Sequence, residues 1–386
     1  PAPHAMKLIQ VSPMGNMGNR MIQYLVALSL AQRVPGARIV QIHLPEWGIG
    51  IAPFEGTAPR TEIVTTPRVD LERLAACLND GSLECVDIRT YGQHIDNLLA
   101  PPAYRGLFHA PSVPQAAGSP DELVCNIRQG DILDAHHPDY VLIPPDFYAE
   151  LIATTGLRPV FCGQLEATPY LETLKKRFPA ARYVPSLGAI GDFALLRASH
   201  NIVPSISTFS WLAAWLSDAT RIFLPVLGMF HPLQARSVNL LPLDDPRFAF
   251  TLFPFHYAIP VARAACGHAG LRGLWRGMPP GRLRAMFAAS PAPQPMTDPG
   301  LFDEARYLAL HPDIRAAVAA GHFPSGRHHY EAFGMAEGRE PGAIDKAWYC
   351  TTYPIAAIEL SQGDAADPLR HWIEIGRHRG YRRHPP

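Results

Sequence analysis

Short apolar runs alternate with stretches of helical period along most of this chain. The run at 8–11 leads through a Gly/Asn loop into a helical pattern at 21–32 and a second strand-like run at 38–43, a β-loop-α-β opening. A helical pattern at 71–78 and an apolar run at 85–88 follow, and the proline-rich stretch 100–120 closes this first half. Beyond it, strands at 123–127, 159–162, 182–184, 201–203 and 221–224 interleave with helices at 146–153, 169–177, 192–198 and 209–217. That order predicts an α/β fold whose parallel sheet carries helices on both faces. Two Rossmann-like halves facing across a cleft are expected, over 6–115 and 120–245.

The remainder has a different texture. No acidic residue lies between Asp245 and Asp298, whereas Arg263, Arg272, Arg276, Arg282 and Arg284 fall there beside Leu274, Trp275, Leu283, Met286 and Phe287. We read 246–296 as a basic linker. Its part 263–287 suits either peripheral contact with an anionic membrane or packing across both halves. In 297–386 the residues Asp303, Ala305, Tyr307, Pro312, Gly321, His329, Gly334 and Gly338 recur 42 residues on (303 to 345) as Asp345, Ala347, Tyr349, Pro354, Gly363, His371, Gly376 and Gly380. This reads as a tandem repeat. Two copies bury little by themselves, so they are expected to lean on the body or to form a homo-oligomer.

Composition narrows the classes. The 386 residues carry 34 Lys plus Arg and 34 Asp plus Glu, so no global field recruits nucleic acid. The six cysteines show no Cys-x-x-Cys spacing and read as reduced thiols, which points to a cytoplasmic setting, peripheral at the inner membrane if 263–287 binds it. Pro1 to Ala5 lack the parts of a signal peptide and read as a remnant ahead of a native Met6. No run approaches the roughly 20 apolar residues of a membrane span.

Two segments carry candidate chemistry. Asn126-Ile127-Arg128-Gln129-Gly130-Asp131 and Ser207-Thr208-Phe209-Ser210-Trp211 each follow a strand-like run, and ligands of α/β sheets bind at strand ends. Arg128 can fork onto phosphate oxygens, and Ser207 and Thr208 open a helix, a pairing suited to a diphosphate. A structural ion pair for Arg128 and an ordinary helix cap for Ser207 are the plainer readings. Glu166, after the strand 159–162, can accept two N–H groups from a guanine edge. Asp192 reads as an N-cap, and Trp211 and Trp215 as core. Adjacent histidines at 136–137 and 328–329 lack partners at ligand spacing, so no metal site is expected.

Together with Gly15-Asn16-Met17-Gly18-Asn19-Arg20-Met21-Ile22-Gln23-Tyr24, these two blocks resemble, in order, three motifs of the α-1,2-/α-1,6-fucosyltransferase and protein O-fucosyltransferase superfamily: Gly-x-x-Gly-Asn-Gln, His-x-Arg-Arg-x-Asp and Ser-Ser-Phe-Ser-Trp-Trp. The repeat resembles short modules attached to bacterial surface-polysaccharide glycosyltransferases. The resemblance implies two Rossmann-like domains of GT-B type, the first on the acceptor side and the second binding a nucleotide sugar. It further implies inverting transfer, of L-fucose in the leading reading, from a GDP-sugar donor to a glycan acceptor, with no metal and no other cofactor. Carried over by position, Arg128 neutralises the β-phosphate, Ser207 and Thr208 hold the diphosphate, and Asn19 lies near the sugar. Gly18, Asn126, Glu166 and Phe209 complete the donor site. His136 or Asp131 serves as the general base, though Asp131 also suits anchoring Arg128 or capping a turn. Asn126 and Gln129 stand where the family has His and a second Arg, which leaves open another nucleotide sugar, or a decayed site in a glycan-binding scaffold.

Overall fold

The computed structural model describes residues 7–56, 58, 60–104, 106–110, 118–133, 140–232, 234–235, 237–253, 275–289, 302–334, 339, 341–362 and 368–385. The protein is a mixed α/β chain with two Rossmann-like sheets. The first has the order β2-β1-β6-β5, all parallel, from β1 (Leu8–Val11), β2 (Arg38–Val40), β5 (Thr61–Val64) and β6 (Cys85–Ile88). Helix α1 (Met17–Arg33) links β1 to β2, and α2 (Leu71–Asp80) links β5 to β6. The side chain of Asp70 caps α2 and Gly81 ends it in the left-handed region.

Two boundaries differ from the sequence expectation. The run at 38–43 breaks at Gln41, whose φ is +63, and continues as β3 (Ile42–Leu44) in a hairpin with β4 (Ile49–Ile51). Helix α1 begins at Met17 instead of 21, because Gln23, fully buried on its inner face, ties the approach down. Its carboxamide accepts from Met14 N at 2.9 Å and donates to the Ser12 and Thr90 carbonyls at 3.0 and 2.9 Å.

The second sheet contains β7 (Glu122–Ile127), β8 (Arg158–Gly163), β9 (Arg182–Pro185), β10 (Asn201–Val203), β11 (Arg221–Val226), β12 (Phe248–Leu252) and the antiparallel β13 (Arg276–Gly277). Their order is β13-β12-β11-β10-β7-β8-β9. Without β13 this is the doubly wound order, with the chain reversing direction between β7 and β10. The connecting helices are α3 (Gly130–Leu133), α4 (Pro145–Thr155), α5 (Pro169–Arg177), α6 (Gly188–Arg197) and α7 (Thr208–Trp215). Pro145 and Pro169 occupy first-turn positions where a missing N–H is harmless.

The sheet continues past residue 245, so the stretch read as a linker supplies β12, β13 and α8 (Pro280–Ala289). Trp275 and Leu283, expected to face either a membrane or the body, are buried. Trp275 stacks on Phe253 and donates its indole N–H to Glu150 at 2.8 Å. Arg276, Arg282 and Arg284 remain exposed, while 263–274 lies outside the described residues. No helix among the described residues is long and apolar enough to cross a membrane. The five described cysteines are free thiols.

One apolar core runs through both sheets. Tyr104 meets Trp215, and Trp47 and Phe108 meet Phe193, with ring centroids 6.0, 5.2 and 6.3 Å apart. Arg197 donates to the Leu107 and Phe108 carbonyls, and the main chains of Gln93 and Ile95 bond to Asn239.

In the tail, α9 (Glu304–Leu310), α10 (Pro312–Ala319) and α11 (Gly326–His329) precede α12 (Lys346–Thr352), α13 (Pro354–Gln362) and α14 (Pro368–Glu374). Asp303 caps α9 and Asp345 caps α12. The buried Tyr307 hydroxyl meets His329 Nδ1 at 2.9 Å, and Tyr349 meets His371 Nδ1 at 2.9 Å. A Cβ on Gly334 or Gly376 would collide with the corresponding tyrosine hydroxyl, at 2.6 and 2.0 Å. These residues form one cluster around Tyr307 and another around Tyr349. Arg306 pairs with Asp345 between the two clusters, and Met286 of α8 packs against the second.

Candidate functional site

The strands of the second sheet end in two loops at its reversal point. Arg128 leaves β7 half-buried, with its guanidinium carbon 4.6 Å from the Tyr140 ring centroid, a cation–π contact. Ser207 follows β10 and caps α7, its hydroxyl accepting from Phe209 N at 3.2 Å. A cavity of about 10 Å³ lies between them, lined by Asn126, Arg128, Ile143, Tyr148, Tyr170 and Ser205, with room for one water.

The start of α1 meets the start of α7. A Cβ on Gly18 would lie 2.7 Å from Phe209 N and 2.8 Å from Thr208 Oγ1, so only glycine permits the approach. Beside it, Asn19 Oδ1 accepts from Thr208 Oγ1 at 3.0 Å and from Gln93 Nε2 at 2.9 Å. The C-terminal edges of the two sheets therefore face each other, and the positive ends of two helix dipoles converge. Phe209 packs edge-on against Phe193.

Three residues singled out in the sequence have their side chains engaged within the fold. Asn126, expected at the donor, is a buried strut: its Oδ1 accepts from Ser205 Oγ at 2.8 Å, and Ser205 meets Ser210 at 2.9 Å. Gln129, standing where the motif it resembles has a second Arg, is also buried. Its carboxamide donates to the Glu166 carbonyl at 2.8 Å and accepts from Thr168 Oγ1 at 2.5 Å. Asp192 is not an N-cap but reaches back from inside α6 to Leu187 N at 2.7 Å and Ser186 Oγ at 2.6 Å, because α6 starts at Gly188. The Glu166 residue is exposed on the loop after β8. Asp131 is the second residue of α3, and His136 lies outside the described residues. Trp211 and Trp215 stack in the core.

Two braces escaped sequence reasoning. Gln164 Oε1 accepts from both Gln129 N and Gly130 N, at 2.8 and 2.9 Å, and so fixes the turn that carries Arg128. Gln23 does the same for the loop after β1. A glutamine set among Met21, Ile22 and Leu25 on an apolar helical face was the available signal for Gln23, which the structure buries fully.

No protein-family model and no curated protein matches the chain. Among solved structures it is similar to E. coli heptosyltransferase WaaC with ADP-2-deoxy-2-fluoro heptose, at 14% identity and a TM-score of 0.34, over 57% of this chain and 88% of that one. It is similar also to E. coli heptosyltransferase WaaC with ADP, at 13% identity and a TM-score of 0.38, over 67% of this chain and 97% of that one. At such TM-scores neither likeness assigns a substrate or a residue role.

Proposed function

We propose that this chain is a glycosyltransferase that holds a nucleoside-diphosphate sugar at the reversal point of the second sheet and passes the sugar to a glycan acceptor on the first. The observation that carries this reading is the meeting of the α1 and α7 starts, with Arg128 at the end of β7, the strand next to β10. Two positive helix ends in contact repel, and a diphosphate near them relieves that repulsion. Arg128 adds a forked cation, and Tyr140 restrains it.

In the reaction, an acceptor hydroxyl attacks the anomeric carbon, the carbon–oxygen bond to the diphosphate breaks, and its electron pair leaves with the phosphate oxygen. The hydroxyl proton passes to a base, for which Asp131 and His136 are the candidates. Charge grows on the leaving diphosphate, where one preorganised donor contributes roughly 3 to 4 kcal/mol. Attack from the face opposite the leaving group gives inversion. We take the donor to be a GDP-sugar, with L-fucose as the leading sugar, its guanine read by Glu166, and the setting to be surface-polysaccharide assembly without a metal. The three-block resemblance supports these finer points.

The test is a thermal-shift and calorimetric panel of GDP, UDP, CMP and ADP, with magnesium or EDTA, on the native chain and on Arg128→Ala. Ligand at about 100 times its dissociation constant raises stability by roughly 2.7 kcal/mol. GDP-selective stabilisation that ignores EDTA and falls at least about tenfold in affinity in Arg128→Ala is expected. Selectivity for another nucleotide reassigns the donor, and no binding by any of the four overturns the transferase in favour of a scaffold.

A further inference from the structure

The facing edge of the first sheet holds a charged pair outside the donor machinery. Asp87, on β6, is 2% exposed, and its carboxylate accepts from Arg89 Nε at 2.6 Å and from Ser12 Oγ at 3.0 Å. Arg89 is 50% exposed, and among the described residues its two Nη groups make no hydrogen bond. Burying a carboxylate to restrain a half-exposed arginine is a poor device for stability, since an apolar pair of similar volume serves as well. It is an effective device for aiming a guanidinium.

The main chain beneath it is tied at several points. Arg89 N donates to the Val64 carbonyl at 2.9 Å, Gln23 bonds the Thr90 carbonyl, and the buried Asn97 bonds the Gly92 carbonyl at 2.9 Å. Arg89 and Tyr91 are both exposed and flank the buried Thr90. Tyr91 is 40% exposed, a large aromatic residue left partly in water. Its edge abuts Gly15, where φ is +67 and a Cβ would meet Tyr91 Cε1 at 2.9 Å and Asn19 Nδ2 at 2.6 Å. Tyr91, Gly15, Asn19 and Thr208 thus form an unbroken line from this edge to the start of α7.

Resting on the transferase reading, we infer that Arg89 and Tyr91 form the acceptor subsite and select a negatively charged sugar. The Nη edge of Arg89 takes the carboxylate or phosphate in a fork, and Tyr91 takes the apolar C–H face of the ring. Asp87 is a positioning residue that fixes the fork.

The test titrates methyl glucuronide, glucose 6-phosphate and methyl glucoside into the full chain, read by saturation-transfer NMR and calorimetry. An anionic sugar binding at least about tenfold tighter than methyl glucoside is expected, the scale of one charge-assisted hydrogen bond. Whichever anion binds tighter identifies the group. Arg89→Ala abolishes the preference, and Arg89→Ala combined with Asp87→Asn, which leaves no buried unpaired charge, abolishes it too. Tyr91→Ala weakens all three sugars alike. Equal binding of charged and neutral sugars, no binding, or a preference that survives both arginine variants overturns the subsite. Nucleotide binding by the native chain without sugar preference sinks the subsite alone, whereas preference without nucleotide binding sinks the transferase reading.

Discussion

Thr208 donates its hydroxyl to the Asn19 carboxamide oxygen at 3.0 Å, and this bond joins helix starts that belong to different sheets. It ties the proposed phosphate loop to the proposed acceptor side, so sequence positions 189 apart share one fate.

Asn19→Ala and Thr208→Val are expected to be non-additive. A double-mutant cycle in urea should return a coupling of about 1 kcal/mol, the net worth of one half-buried hydrogen bond. Gly18→Ala should destabilise more, by about 1–3 kcal/mol, because its methyl forces the two helices apart. Coupling near zero would show that the bond does not act across the junction.

Placing at 129 the Arg of the motif that this block resembles should harm the protein. Gln129→Arg removes the acceptor that Thr168 uses and puts a cation where the side chain is 1% exposed. A loss of about 2 kcal/mol or more in chemical denaturation is expected, without tighter nucleotide binding. Improved GDP affinity at unchanged stability would return this position to the donor site.

His231 is fully buried, and desolvation pushes its pKa down from 6.5 to about 3. Below about pH 6.5 the unfolded chain binds a proton there that the folded chain refuses, so stability falls as pH drops from about 6.5 towards 3. The slope approaches about 1.4 kcal/mol per pH unit. Urea midpoints between pH 5 and 6.5 should flatten in His231→Gln relative to the native chain, and parallel curves would refute the assignment.

The two tyrosine–histidine pairs allow a matched comparison. His371 Nε2 faces Glu359 Oε2 at 2.8 Å while its Nδ1 meets the Tyr349 hydroxyl at 2.9 Å, so the ring is held on both sides. Tyr349→Phe should cost about 1–2 kcal/mol, read by hydrogen exchange over 346–374, and Tyr307→Phe a similar amount over 304–329. No loss of protection at either site would mean that these hydroxyls contribute only contact.

The second sheet was legible because its strands are short buried runs closed by turn or cap residues. Thr168 and Ser207 mark helix starts that the structure places within one residue of expectation. Strand β12 was hidden by the prolines that follow it, since Phe248–Leu252 by itself reads as one end of a longer broken run. The surroundings of Gln129 and Asn126 were not legible for another reason. Their partners lie 37 and 79 residues away, and a motif specifies which residue follows a strand but not which neighbour claims its side chain.

The aromatic seam of Trp47, Tyr104 and Phe108 against Phe193 and Trp215 opposes separation of the two sheets. Bodies joined by a hinge release product by swinging open, but swinging here would wet these rings, at about 25 cal/mol for each Å² exposed. On the proposed reading, donor and acceptor therefore enter and leave without one sheet swinging away from the other, and a substitution in the seam weakens both halves together.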